Sequence, residues 1–210
     1  MNLTNEDNSE KVWSKKPTSY ILNNYFIHQY KEEYESIKFI KQYLSQLSFN
    51  SLIDFGCGSG SLIYFLNQII NVDFTGIDIC EETLNIAKQN NPDCIFIHKN
   101  INELTNNYDL TISNQTLLIL SPDKLTTFIN KQFECSNKYV VFFSLFTDSK
   151  LTIDIKINDP YNNEIVFYNI IPIDKIQNIA DKFNFKEKII EDFNISKKLD
   201  KPKQKGRGTY

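Results

Sequence analysis

Ser51-Leu-Ile-Asp-Phe-Gly-Cys-Gly-Ser-Gly60 decides how this chain is read. A short apolar run feeds a turn with glycine at every second position, Gly56, Gly58 and Gly60. Ser61 to Ile70 follows with apolar residues at helical spacing. Strand, glycine turn and helix in that order let a ligand approach the backbone with no Cβ in the way. Free amides at the helix start attract a negative group. Val72 to Ile79 reads as the next strand, and Asp78 stands at its end, eighteen residues past Gly60. A carboxylate there accepts hydrogen bonds from both hydroxyls of a ribose. Together these features define a site for a nucleoside-containing ligand at the carboxyl edge of a parallel sheet.

The rhythm continues outward. Glu81 to Asn90 is a helix, Cys94 to His98 a third strand and Tyr108 to Ser113 a fourth. An apolar segment, Thr116 to Leu120, leads to a helix from Pro122 to Phe133 and a fifth strand from Lys138 to Phe146. Strands alternating with helices mean an α/β fold with a doubly wound, mostly parallel sheet and helices on both faces. After Thr147 the pattern loosens. Leu151 to Ile157 and Glu164 to Ile170 read as a hairpin, Ile173 to Phe183 as a helix and Phe185 to Phe193 as a strand. Ahead of the glycine turn, aromatic and aliphatic residues between Trp13 and Leu47 recur at helical spacing. The expected organisation is an N-terminal helical cap over residues 1–48 and a ligand-binding domain over 49–210, with an insertion at 147–171.

Composition narrows the function classes. The chain has 210 residues, 41% hydrophobic and 23% charged, enough for one full core. The formal charge is −3, which disfavours a general nucleic-acid binder. Of 23 basic residues only Arg207 is an arginine, so a bidentate clamp on phosphate or carboxylate must use Arg207 or backbone amides. Four cysteines without CxxC spacing and two histidines, His28 and His98, give no metal-ligand pattern. Residues 1–16 lack the apolar core of a signal peptide, and no apolar run approaches the ~20 residues of a membrane helix. The expectation is a soluble cytoplasmic protein without a metal or a membrane span.

The glycine spacing is GxGxG rather than the GxGxxG of nicotinamide-binding folds. Leu52-Ile-Asp-Phe-Gly-Cys-Gly-Ser-Gly60 resembles motif I of the class I S-adenosylmethionine-dependent methyltransferases. Phe74-Thr-Gly-Ile-Asp-Ile79 resembles their second strand with its ribose-binding acid. Phe96-Ile-His-Lys-Asn-Ile101 and Tyr108-Asp-Leu-Thr-Ile-Ser113 resemble the third and fourth. The resemblance implies a Rossmann-like sheet of seven strands, complete or incomplete, with S-adenosylmethionine as cofactor and S-adenosylhomocysteine as product. Carried over, it implies that Gly56, Cys57, Gly58, Gly60 and neighbouring backbone hold the methionine portion, with Asp54 positioning its ammonium. Asp78 would bind the ribose, and Ile79, Asn100 and Ile101 would surround the adenine. Asn100 stands where the family often has Asp, and its carbonyl oxygen still accepts a hydrogen bond. Asn114 and Gln115 would line the methionine end or the acceptor.

Methyl transfer from a sulfonium is an in-line displacement in which alignment supplies most of the rate. A hydroxyl acceptor also needs a base. The candidates are His28, in the aromatic segment Tyr25-Phe-Ile-His-Gln-Tyr30, and the strand-end His98; Tyr25 and Gln115 complete the catalytic set considered. The tail Lys201-Pro-Lys-Gln-Lys-Gly-Arg-Gly-Thr-Tyr210 resembles a segment of methyltransferases from bacterial surface-polysaccharide biosynthesis. That implies O-methylation of a small polar or anionic acceptor, a sugar nucleotide or phosphorylated metabolite, on a sugar or phosphoramidate group, in capsule formation. A non-catalytic cofactor-binding module and an NAD-dependent oxidoreductase are the alternatives. The chain stops where a last strand is expected to run, so it reads as a truncated form.

Overall fold

A computed structural model of the chain describes residues 27–31, 33–150, 153–158 and 165–186. Two helices lead in, α1 (Ile27–Lys31) and α2 (Glu35–Leu44). Then β1 (Ser51–Phe55), α3 (Ser61–Asn67), β2 (Asp73–Asp78), α4 (Glu81–Asn90) and β3 (Ile95–His98) alternate. A single 3₁₀ turn, Ile101–Glu103, precedes β4 (Tyr108–Asn114), α5 (Thr116–Ile119), α6 (Pro122–Glu134) and β5 (Ser136–Phe143). The rest is β6 (Phe146–Thr147), β7 (Ile153–Asn158), β8 (Ile165–Pro172) and α7 (Ile173–Lys182).

Five parallel strands form the main sheet in the order β3-β2-β1-β4-β5. The expected doubly wound α/β architecture is the one observed. β1 is central and covered on both sides, so Leu52, Ile53 and Phe55 are all buried, and Asp54 is buried with them. Leu52 joins Ile37, Ile40 and Leu44 of α2 and Leu62, Ile63 and Leu66 of α3 on one face of the sheet. Ile53 and Phe55 point the other way, into Leu125, Phe128, Ile129 and Phe133 of α6 and Ile179 and Ala180 of α7. Burying a side chain such as Phe55, at 0% exposure, is worth roughly 1.5–3 kcal/mol. The two layers hold β1 rigidly, and β1 carries the glycine turn at its end.

Two boundaries differ from the sequence reading. The fifth strand stops at Phe143 rather than Phe146. There the Gln115 amide donates to the Phe143 carbonyl at 2.7 Å, and two residues later the Leu145 carbonyl accepts from Ile171 at 2.9 Å. The chain has changed partners, and Phe146–Thr147 runs parallel to β8 in a second sheet of order β6-β8-β7. The expected hairpin is present as the antiparallel pair β7 and β8. Phe185, expected to open a strand, instead follows a turn at Phe183 and Asn184 and packs its ring edge-on against Phe133 at 5.2 Å. The remainder of that expected strand, Tyr25 and the basic tail lie outside the described residues.

Candidate active site

The strand order reverses beside β1, since β2 lies on one side of it and β4 on the other. In an open parallel sheet the crevice at such a reversal, outside the carboxyl ends, is where ligands sit. The turn after β1 fills one lip of it. Gly56, Gly58 and Gly60 all have positive φ, at 74°, 52° and 80°. Two of them also have no room for a side chain. A Cβ on Gly56 would lie 2.5 Å from Thr116 Cγ2, and one on Gly60 would lie 2.9 Å from Ala87 Cβ. Thr116 is held there by its own hydroxyl, which donates to the Phe55 carbonyl at 2.9 Å.

The amides of this turn are largely spent inside the protein. Gly56 and Cys57 donate to the Ile77 carbonyl, Gly60 donates to the Cys57 carbonyl, and Gly58 donates to Asp78 Oδ2 at 2.8 Å. These four turn amides are engaged within the protein, whereas the amides expected to attract an anion are those of the helix start that follows. What the turn offers is close approach of bare backbone. Its tight winding follows from its seat on β2, where Gly76 leaves space for the Cys57 thiol; a Cβ on Gly76 would come within 2.7 Å of that sulfur.

Two carboxylates sit at the crevice. Asp54 is paired in register with Gly76 on β2 and Ile112 on β4, and is 2% exposed. Its Oδ1 has no hydrogen-bond partner. Burial, and then the nearby charge of Asp78, push its pKa up to about 8. Asp78 ends β2, with Oδ1 accepting from Cys80 N–H at 2.9 Å. Burial raises its pKa too, opposed by the amides of Cys80, Gly58 and Ile79 that favour its charged form. The Cys57 thiol is pushed well up by burial and by both carboxylates, so it is inert as a nucleophile. A buried carboxylate with an orphaned oxygen is expensive without a partner, and a cation or a donor is the partner it lacks.

The remaining sequence candidates fall around this centre. Ile79 follows Asp78, and its carbonyl is 3.0 Å from the Nε2 of His98, which is exposed at the end of β3. Asn100 caps the 3₁₀ turn: its side-chain oxygen accepts from the Asn102 amide at 3.0 Å while Glu103 reaches back to the Asn100 amide at 3.2 Å. The Asn100 side chain also takes the Glu103 amide in a full capping box, so its oxygen is engaged within the turn. Ile101 packs against the lower core. Asn114 ends β4, and its buried Oδ1 is unpartnered. Gln115 is exposed and left-handed, with φ 62°. His28 belongs to α1.

Two side chains beside His28 grip the turn. Gln29 Oε1 accepts from Ser59 Oγ at 2.9 Å, and the Tyr30 hydroxyl donates to the Ser59 carbonyl. Asn91, 3% exposed, reaches the same place with its Nδ2 3.4 Å from both Tyr30 Oη and the Gly60 carbonyl. Burial raises the Tyr30 phenol to about 12, so it stays a donor. Asn91, Gln29 and Gly76 were not among the residues singled out from the sequence. Only Gly76 carried a local signal, a glycine inside a strand.

Comparison with known proteins gives the family and the fold. A family model described as a methyltransferase domain matches residues 48–201, and the chain belongs to that family. Among solved structures it is similar to magnesium protoporphyrin IX methyltransferase (ChlM) from Synechocystis PCC 6803, crystallised with bound SAM. That match has 14% identity and a TM-score of 0.51, covering 77% of this chain and 88% of that one. It is also similar to Streptomyces venezuelae DesVI, with 11% identity, a TM-score of 0.55 and coverage of 80% and 90%. An S-adenosylmethionine-dependent methyltransferase from Clostridium acetobutylicum ATCC 824 matches with 14% identity, a TM-score of 0.55 and coverage of 77% and 87%. At these identities the likeness is one of fold. No curated protein matches significantly. Among the described residues, no helix is long and apolar enough to cross a membrane.

Proposed function

We propose that the crevice beside β1 binds S-adenosylmethionine and that the chain transfers its methyl group to a small polar or anionic acceptor. The observation that carries the reading is Asp54, a buried carboxylate with an unpartnered oxygen directly beneath the glycine turn. An ammonium or sulfonium group beside it would supply a counter-charge and favour its ionised form. The residues present therefore fit this cofactor. Asp54 and the turn from Gly56 to Gly60 would hold its methionine portion, Asp78 its ribose, and Ile79, Asn100 and Ile101 its adenine. When bound, the cofactor supplies a methyl group already activated on a sulfonium.

The protein's own contribution is then alignment. β1 and β4 are fixed by cores on both faces, so Asp54 and Asn114 are presented from rigid elements. α1 is drawn onto the turn through Gln29 and Tyr30, which supports residues 1–48 as a cap that excludes water. In this reading His28 accepts the acceptor's proton, with Tyr25 and Gln115 shaping the acceptor space. The insertion at 147–171 completes the catalytic domain over 49–210.

For the acceptor, the resemblance of residues 201–210 favours O-methylation of a sugar or phosphoramidate group during capsule or surface-polysaccharide formation. Small phosphorylated or nucleotide-linked metabolites in the cytoplasm would be its source. The test is turnover with S-adenosylmethionine and a panel of sugar nucleotides and sugar phosphates, read by mass spectrometry. A methylated panel member formed together with S-adenosylhomocysteine is expected. Cofactor binding with no methylated product from the whole panel would sink the acceptor reading and leave the cofactor site standing.

A further inference from the structure

The insertion leaves one strand open. β7 pairs antiparallel with β8 on one side, and among the described residues no strand pairs with its other side. Ile153, Asp154, Ile155 and Lys156 are all exposed, the two isoleucines at 45% and 47%. Since side chains alternate across a strand, both faces of β7 are open. The register sets Ile153 opposite Ile170 and Ile155 opposite Tyr168, so one face carries an apolar ladder. On the other face Asn169 of β8, directly opposite Asp154, anchors the ribbon, its Nδ2 donating to the Leu117 and Leu120 carbonyls at 2.9 and 2.6 Å. An exposed edge with apolar residues is a template for pairing, and a narrow ribbon is marginal by itself.

The sequence of this strand names its partner. Ile153-Asp-Ile-Lys-Ile157 is its own complement when two copies run antiparallel about a two-fold axis at Ile155. Ile153 then faces Ile157 of the second copy, Ile155 faces itself, and Asp154 faces Lys156 in both directions. A strand guarded against self-pairing carries like charges, which repel across such an axis. Here every charged pair is attractive and every other pair is isoleucine. Lys156 and Asp154 share one face, with Lys156 Nζ 5.7 Å from the centre of the Phe167 ring.

We propose that the chain forms a homodimer by edge-to-edge pairing of β7 about a two-fold axis at Ile155. The product is one continuous sheet in the order β6-β8-β7-β7-β8-β6. Isologous pairing closes on itself, so it ends at two copies rather than growing into a fibre.

The experiment is sedimentation velocity and light scattering on the full chain and its charge variants. The wild type should be a dimer. Asp154→Lys and Lys156→Asp each set like charges opposite each other twice, and each should weaken the dimer by roughly tenfold or more. The double reversal Asp154→Lys/Lys156→Asp should dimerise like the wild type. An equimolar mixture of the two single variants should form a heterodimer. A monomeric wild type, single variants that dimerise as tightly as the wild type, or a double reversal as weak as the singles would each overturn the proposal.

Discussion

The amide of Gly58 donates to Oδ2 of Asp78 at 2.8 Å, tying the glycine turn to the last residue of β2. The side chain assigned to the ribose is therefore also a strut of the turn assigned to the methionine portion. Asp78→Ala removes both, and should weaken S-adenosylhomocysteine binding by roughly tenfold to a hundredfold, as expected for losing hydrogen bonds to a charged group. Thermal shift with and without S-adenosylhomocysteine checks this. Equal stabilisation of variant and wild type would remove Asp78 from the site.

Asp54 gives stability a pH dependence of known sign. Its pKa rises from 3.8 to about 8 on folding, so between those values the native state holds a proton that the unfolded chain has released. Stability contributed by this group is complete below about pH 4 and declines as pH rises toward 8. Asp54→Asn cannot titrate and should flatten that slope in urea melts from pH 5 to 8. An unchanged slope would contradict the burial assigned to the carboxylate.

The same residue couples binding to protons. If a cationic group of the ligand pairs with Asp54, binding at pH 7 drives the carboxyl to ionise and releases a proton. Calorimetry of S-adenosylhomocysteine in buffers of different ionisation enthalpy should report that release in the wild type. The signal should vanish in Asp54→Asn even where binding persists.

Tyr30→Phe deletes the hydroxyl that reaches the Ser59 carbonyl and leaves the ring, which packs edge-on to Tyr64 at 5.0 Å. A lost hydrogen bond of this kind costs about 0.5–1.5 kcal/mol. The expected result is faster amide exchange in residues 27–31 and 56–60, with the parallel sheet unaffected. Uniform loss of protection across the sheet would mean that Tyr30 is a core residue and not a latch on the turn.

Gly56→Ala tests the turn's shape. The added methyl meets Thr116 at 2.5 Å in a backbone with φ 74°. Strain and overlap together should destabilise the protein by about 2 kcal/mol or more, read as a lower midpoint in chemical denaturation. Glycine-level stability at this position would contradict the packing described.

The local half of this architecture was legible in the residues. Apolar run, glycine turn and apolar helix between Ser51 and Ile70 each follow from short-range sterics and periodicity, and Asp78 fell at a strand end as its spacing implied. What was not legible depends on contacts distant in sequence. Asn91 looked like an ordinary helix-end residue, yet it bonds to the Gly60 carbonyl, 31 residues away. The exchange of partners at Ser144 and Leu145 is invisible locally because Val140, Phe142 and Phe146 are equally apolar on either side of it. Gln29 gave no signal, since a glutamine on a helix is normally solvated. His28 was legible only as a candidate.

A crevice beside β1 that serves S-adenosylmethionine must also hold its demethylated product. The most direct measurement is isothermal titration of the folded full chain with S-adenosylhomocysteine and, separately, with NADH. Saturable one-to-one binding of S-adenosylhomocysteine and none of NADH is the result predicted. A folded wild-type chain that binds no S-adenosylhomocysteine, or that binds NADH in its place, would contradict the account.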